Sequence, residues 1–143
     1  MKKPRTVSKL KDDCWKLYSE CRRREAALEH KDKYGGQGEY AMCCSCGKVD
    51  RWRKMDAGHY VSRNHNNTLY EDCNVHCQCK GCNMAPMNIT GYTRFLLARY
   101  GTEIIDDLDE MKNIKRQFKP PELLDMEAEF KIRLKELEKV TIS

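Results

Sequence analysis

At 143 residues the chain has one domain's worth of length, and with 40% hydrophobic and 34% charged side chains it can bury only a modest core. No apolar run reaches the roughly 18 residues of a membrane span, and the charged N-terminal stretch is unlike the apolar core of a signal peptide, so membrane-spanning and secreted classes are not expected and a cytoplasmic protein is. The net charge of +5 is uneven: residues 1 to 54 carry 15 basic and 8 acidic groups, residues 55 to 143 carry 12 and 14, and this basic N-terminal part predicts a polyanionic partner.

Residues 7 to 34 read as one helix, because Leu10, Cys14, Leu17, Tyr18, Cys21 and Leu28 recur mostly at spacings of three and four. Trp15, Leu17 and Tyr18 are expected in the core. Gly35, Gly36 and Gly38 end this helix. From 40 to 82 the pattern is short extended pieces, turns and cysteines, which fits a compact metal-stapled unit better than a packed sheet. Residues 91 to 111 predict two short helices broken near Gly101. After Pro120 and Pro121 a last helix is expected from 121 to 140, with Leu123, Met126, Phe130, Leu134 and Leu137 on one face.

The chain has nine cysteines, an odd number, and seven of them fall between 43 and 82. Without a secretory signal, paired clusters point to metal ligation rather than disulfides. Cys43-Cys44-Ser45-Cys46-Gly47 and Cys79-Lys80-Gly81-Cys82 supply two Cys-x2-Cys knuckles, so Cys43, Cys46, Cys79 and Cys82 are expected to hold one structural Zn²⁺, with Gly47 and Gly81 permitting the sharp turns. Cys44, Cys73 and Cys77 are alternative ligands but belong to no such pair, and read as packed thiols. A structural zinc would offset the thin core.

Between the knuckles lie Asp56-Ala57-Gly58-His59-Tyr60 and Asn74-Val75-His76-Cys77-Gln78. A histidine on one strand, an asparagine before the second knuckle and a polar residue after it follow the order of an HNH (ββα-metal) nuclease. The segment 43 to 101 resembles the phage recombination endonuclease family of lambda NinG (Rap), itself similar to the HNH group. The matching runs are Cys-x-x-Cys-Gly at 43 to 47, Asp-Ala-Gly-His-Tyr at 56 to 60, Asn-Val-His-x-Gln-Cys-x-x-Cys-Asn at 74 to 83, Asn88 with Tyr92, and Tyr100-Gly101. The resemblance implies action on branched recombination intermediates such as Holliday junctions, and a host-cell cytoplasm for a phage-encoded protein.

Hydrolysing a phosphodiester needs an activated water, a cation to neutralise developing charge, and fixed geometry. His59 suits the general base. Asp56 and Asn83 suit oxygen ligands for a catalytic Mg²⁺ or Mn²⁺. Asn74 would tie the connecting loop to the strand, and His76, sharing its face in an extended segment, would contact the scissile phosphate or act as another ligand. Two features depart from the HNH pattern: Gly58, not an acid, precedes His59, and Met84 to Met87 lack the basic residue that follows the last ligand, leaving Arg63 or Lys80 to neutralise phosphate. Arg22, Arg23, Arg24, Lys48, Arg51, Arg53 and Lys54 are expected to contact DNA.

The expected fold is α+β: a basic N-terminal helix (1–38), a zinc-stapled, treble-clef-like HNH core (39–92) and C-terminal helices (93–143) in one compact domain. The expected function is a metal-dependent DNA endonuclease. A non-catalytic zinc module binding DNA or protein is the alternative. A homodimer paired through the Leu123 to Leu137 stripe is also expected.

Overall fold

The computed structural model describes residues 3–143. Its spine is α1 (Val7–Tyr34), which starts where the Thr6 side chain accepts from the Lys9 amide and ends at Gly35, whose φ of 89° a side chain would resist. The chain then makes the antiparallel hairpin β1 (Tyr40–Met42) and β2 (Val49–Arg51), and a second antiparallel hairpin, β3 (Asp56–His59) with β4 (Val75–Gln78). A one-turn helix α2 (Lys80–Asn83) follows β4, then α3 (Ile89–Tyr100), α4 (Ile104–Asn113) and α5 (Pro120–Glu138), which opens on its two prolines.

Helices α1 and α5 form the frame. Cys14 Sγ donates to the Leu123 carbonyl (3.3 Å), Cys21 Sγ to Phe130 (3.6 Å), and Lys31 Nζ to Val140 (3.0 Å). The partners advance in step along both helices, so the two helices run parallel. Cysteine is small enough at the seam to let the backbones approach, and its thiol satisfies itself on the opposing helix. Leu10, Cys14, Tyr18, Leu123 and Phe130 close the main core, with Ala57 and Val75 of the second hairpin packed beneath.

This arrangement corrects several expectations. The α5 stripe is already used: Leu123 is fully buried and Phe130 and Leu137 nearly so, against α1 rather than a second copy, so the surface expected to pair a dimer is not free. Beyond Cys21 the buried face of α1 continues through Arg24 and Ala27 instead of Leu28. The physical reason is a set of mostly long-range contacts: Arg24 lies over the Trp52 ring (4.4 Å) and donates to Glu20 and to Thr141 Oγ1. A boundary at 92/93 falls inside α3, and Tyr92, far from closing a unit, reaches back into the second hairpin, where its hydroxyl donates to the Gly58 carbonyl (2.7 Å).

The last residues are docked as well. Trp52 Nε1 donates to the Ile142 carbonyl (2.7 Å), and Gly38 lets the chain pass so close that a Cβ there would lie 2.8 Å from Thr141 Cα. Among the described residues no helix is long and apolar enough to cross a membrane.

Candidate functional site

The two knuckles are held by the two hairpins. Cys43 and Cys46 sit in the turn between β1 and β2, where the Gly47 amide donates to the Cys43 carbonyl (2.9 Å) with Gly47 at φ 79°. Cys79 caps α2, accepting from the Cys82 amide (3.4 Å), and Cys82 lies within that helix. Gly81 has ordinary helical backbone, so only Gly47 uses glycine's conformational freedom. The four Sγ atoms lie within 4.8 Å of one another, and Cys46 Sγ is 3.8 Å from Cys79 Sγ. A tetrahedron with Zn–S bonds of about 2.3 Å has edges of roughly 3.8 Å, so the all-thiol donor set fits zinc in type and spacing.

Cys44, Cys73 and Cys77 stand outside this cluster, and burial pushes the Cys77 thiol up to about 12. Asn88, which the family motif includes but to which the sequence assigns no role, caps α3 through Oδ1 while its Nδ2 points at Cys82 Sγ (3.5 Å), an outer donor to the cluster.

Strand β3 is an edge strand, since the second sheet has only two strands. Its free edge opens on a cleft of about 760 Å³ lined by Arg23, Arg53, Asp56, His59, Arg63, Lys80 and Asn83 among others. His59 stacks on Trp15 at 4.6 Å, so Trp15 forms a wall of the cleft rather than only core. His59 Nε2 lies 3.0 Å from the Leu69 carbonyl. A carbonyl only accepts, so Nε2 carries the proton and Nδ1 is left with its lone pair free. Burial lowers the His59 pKa; the Leu69 bond opposes this, Arg63 adds to it, and the net shift is downward.

Asp56 accepts from Lys80 Nζ (2.7 Å) and Asn83 Nδ2 (3.1 Å). Partial burial pushes its carboxyl up, but those two bonds and the Lys80 charge outweigh it and hold Asp56 below its ordinary value. Asn83 is the last residue of α2 rather than the first of a helix.

Asn74 and His76 do not face the cleft. Asn74 is wholly buried and staples the 60–74 loop: Oδ1 accepts from the Val61 amide (2.7 Å) and Nδ2 donates to Val61 and Thr68 carbonyls. His76 is 4% exposed, between the hydroxyls of Tyr92 (3.1 Å to Nδ1) and Tyr100 (2.8 Å to Nε2). Burial pushes it down to about 3. Because Tyr92 spends its proton on Gly58, His76 Nδ1 must donate to Tyr92 and Nε2 must accept from Tyr100. His76 thus braces β3 and is a positioning residue out of reach of a phosphate in the cleft.

Two of the expected DNA contacts are corrected, as His76 is. Arg22 donates to the Val75 and Asp72 carbonyls, and Arg24 is 4% exposed, so both guanidiniums tie α1 to its neighbours. Arg23, Arg53, Arg63 and Lys80 rim the cleft, and Lys48, Arg51 and Lys54 are exposed outside it.

A family model described as Bacteriophage Lambda NinG protein matches residues 11–140. No curated protein and no solved structure matches the chain. With nearly its whole length covered, the chain belongs to the Bacteriophage Lambda NinG protein family.

Proposed function

We propose that this protein is a metal-dependent DNA endonuclease of the ββα-metal (HNH) type, with the hairpin β3–β4 and α2 as its working unit and branched recombination intermediates as its substrates. The observation that carries the reading is the pairing of His59 with Asp56 and Asn83 in one basic-rimmed cleft, with Nε2 of His59 pinned by Leu69 and Nδ1 free. A neutral imidazole held this way takes a proton from a water at Nδ1, and Trp15 keeps the ring from turning. Asp56 and Asn83 offer oxygen donors of the kind that suit Mg²⁺ or Mn²⁺. Such a cation supplies neutralisation of charge developing on the phosphate. Lys80, whose side chain is 71% exposed, holds Asp56 from the solvent side and is free to swing to a phosphate. Arg23, Arg53 and Arg63 attract and orient the DNA backbone.

The same Lys80–Asp56 ion pair favours a second reading, a zinc module that binds DNA without cutting it, because it closes the carboxylate. A nicking assay on supercoiled plasmid separates the two. Nicking that requires Mg²⁺ or Mn²⁺ and falls by about two to four orders of magnitude in His59→Ala, the range for a lost general base, is the expected result. Binding without metal-dependent nicking by the zinc-loaded protein would establish the second reading.

A further inference from the structure

Gln78 has no role in the site as described, yet its surroundings are unusual. It is fully buried; Nε2 donates to Ser45 Oγ (2.8 Å), and Oε1 has no partner. Among the described residues Glu39 Oε2 is the one other buried side-chain oxygen in that state. A buried, unpartnered carbonyl carries a desolvation penalty and calls for a missing partner.

The hairpin register sets the face on which Gln78 lies. Gln78 lies directly opposite Asp56, and Gly58 is opposite His76, so Asp56, Gly58 and Gln78 share one face. A Cβ on Gly58 would fall 1.7 Å from Gln78 Oε1 and 3.1 Å from Asn83 Oδ1. Two amide oxygens therefore converge on the gap left by the missing side chain of Gly58. Asn83 is joined through its Nδ2 to the carboxylate of Asp56, which lies on the same face of the hairpin as Gly58. Two amide oxygens at one small gap, one of them with an unmet lone pair, next to a carboxylate bonded to Asn83, are the donor chemistry of a hard divalent cation.

We infer that Gln78 Oε1 is a ligand of the divalent cation held by Asp56 and Asn83, and that Gly58 is small so that this oxygen can enter. The inference rests on the cation site of the proposed function and adds a ligand that comes from β4 rather than from β3 or α2. Gln78 thereby couples the cation to the zinc knuckles, since Ser45 lies between Cys43 and Cys46.

The test measures Mn²⁺ binding by calorimetry and by the paramagnetic resonance of free Mn²⁺, using the full zinc-loaded chain carrying His59→Ala. Added to it are Asp56→Ala, Gln78→Met, Gln78→Glu and Gly58→Ala. Expected are saturable binding lost in Asp56→Ala, at least about tenfold weaker binding in Gln78→Met and in Gly58→Ala, and binding at least as tight as the parent in Gln78→Glu. Zinc content and melting temperature of Gln78→Met should match the parent. Parent-like affinity in both Gln78→Met and Gly58→Ala, with Asp56→Ala still deficient, would overturn the role of Gln78 and leave the cation site standing. Loss of binding in Gln78→Glu would overturn it too, since a carboxylate can ligate but cannot replace an amide turned to donate to Asn83. Failure of the parent to bind, or parent-like binding by Asp56→Ala, would overturn the cation site and the inference together.

Discussion

Cys14 and Cys21 lie seven residues apart on α1 and each gives its thiol to a carbonyl of α5; Cys43, Cys46, Cys79 and Cys82 arrive in pairs from two hairpins and bring four sulfurs within 4.8 Å. The helical frame and the knuckle unit thus use the same residue type in opposite ways. In the frame, burial pushes Cys14 and Cys21 up to about 11, so they stay protonated and act as small apolar groups with a weak donor. In the knuckle unit the hairpins are too short to hold themselves: β1 and β2 have three residues each, and a two-stranded hairpin is marginal alone. One region stands on helix packing, while the other adds to a small core of its own a set of four thiols that could hold a metal.

The sharpest way to break this contrast is to remove one thiol from each region. Cys79→Ser should lose the zinc and the cooperative unfolding of the knuckle unit, because a structural zinc contributes on the order of 10 kcal/mol. Cys14→Ala should keep a full complement of zinc and lose about 1–2 kcal/mol. Metal analysis and thermal unfolding check both, and equal losses would erase the distinction.

A smaller effect sharpens it from the other side. Leu123 is fully buried between α5 and α1, so Leu123→Ala should cost about 2–5 kcal/mol, the range for a core leucine. Denaturant unfolding should show that loss with zinc content unchanged.

The cleft joins the two regions, and its pH response tests that junction. A general base at His59, as proposed, would act only when neutral, and its pKa is lowered, so the acidic limb of any cleavage should have its midpoint below the ordinary 6.5. Arg63 contributes to the lowering, so Arg63→Ala should move the midpoint upward, whatever it does to the maximal rate. A limb at or above 6.5 in the unaltered protein would show His59 to be more solvated than its place against Trp15 implies.

The smallest expected effect concerns salt. Arg53 and Arg63 rim the cleft, and each replaced by alanine should reduce the log-log slope of DNA affinity against salt by about 0.9. Arg22→Ala should leave the slope alone and lower the melting temperature, because Arg22 is bonded to the Val75 and Asp72 carbonyls. Titrations by fluorescence anisotropy at several salt concentrations would show any exchange of these roles.

What could be read from the residues alone was whatever depends on near neighbours along the chain. The span 7 to 34 is helical as its periodicity and following glycines demanded, and the break at Gly101 separates α3 from α4. The two Cys-x2-Cys pairs meet because each is a local turn whose spacing already suits one metal. The family match likewise covers the motifs at 43 to 101. Tertiary structure alone decided which faces those elements turn to one another. Arg22 and Arg24 read as free cations until β4 and the tail at Thr141 are placed against α1, and Ala27 replaces Leu28 because Trp52 and the first hairpin lie on that side. His76 braces β3 instead of facing the cleft, because Tyr92 and Tyr100 of α3 come to meet its two ring nitrogens. The α5 stripe has the right spacing for a partner of any kind; that the partner is α1, in parallel, follows from long-range packing that no local period encodes.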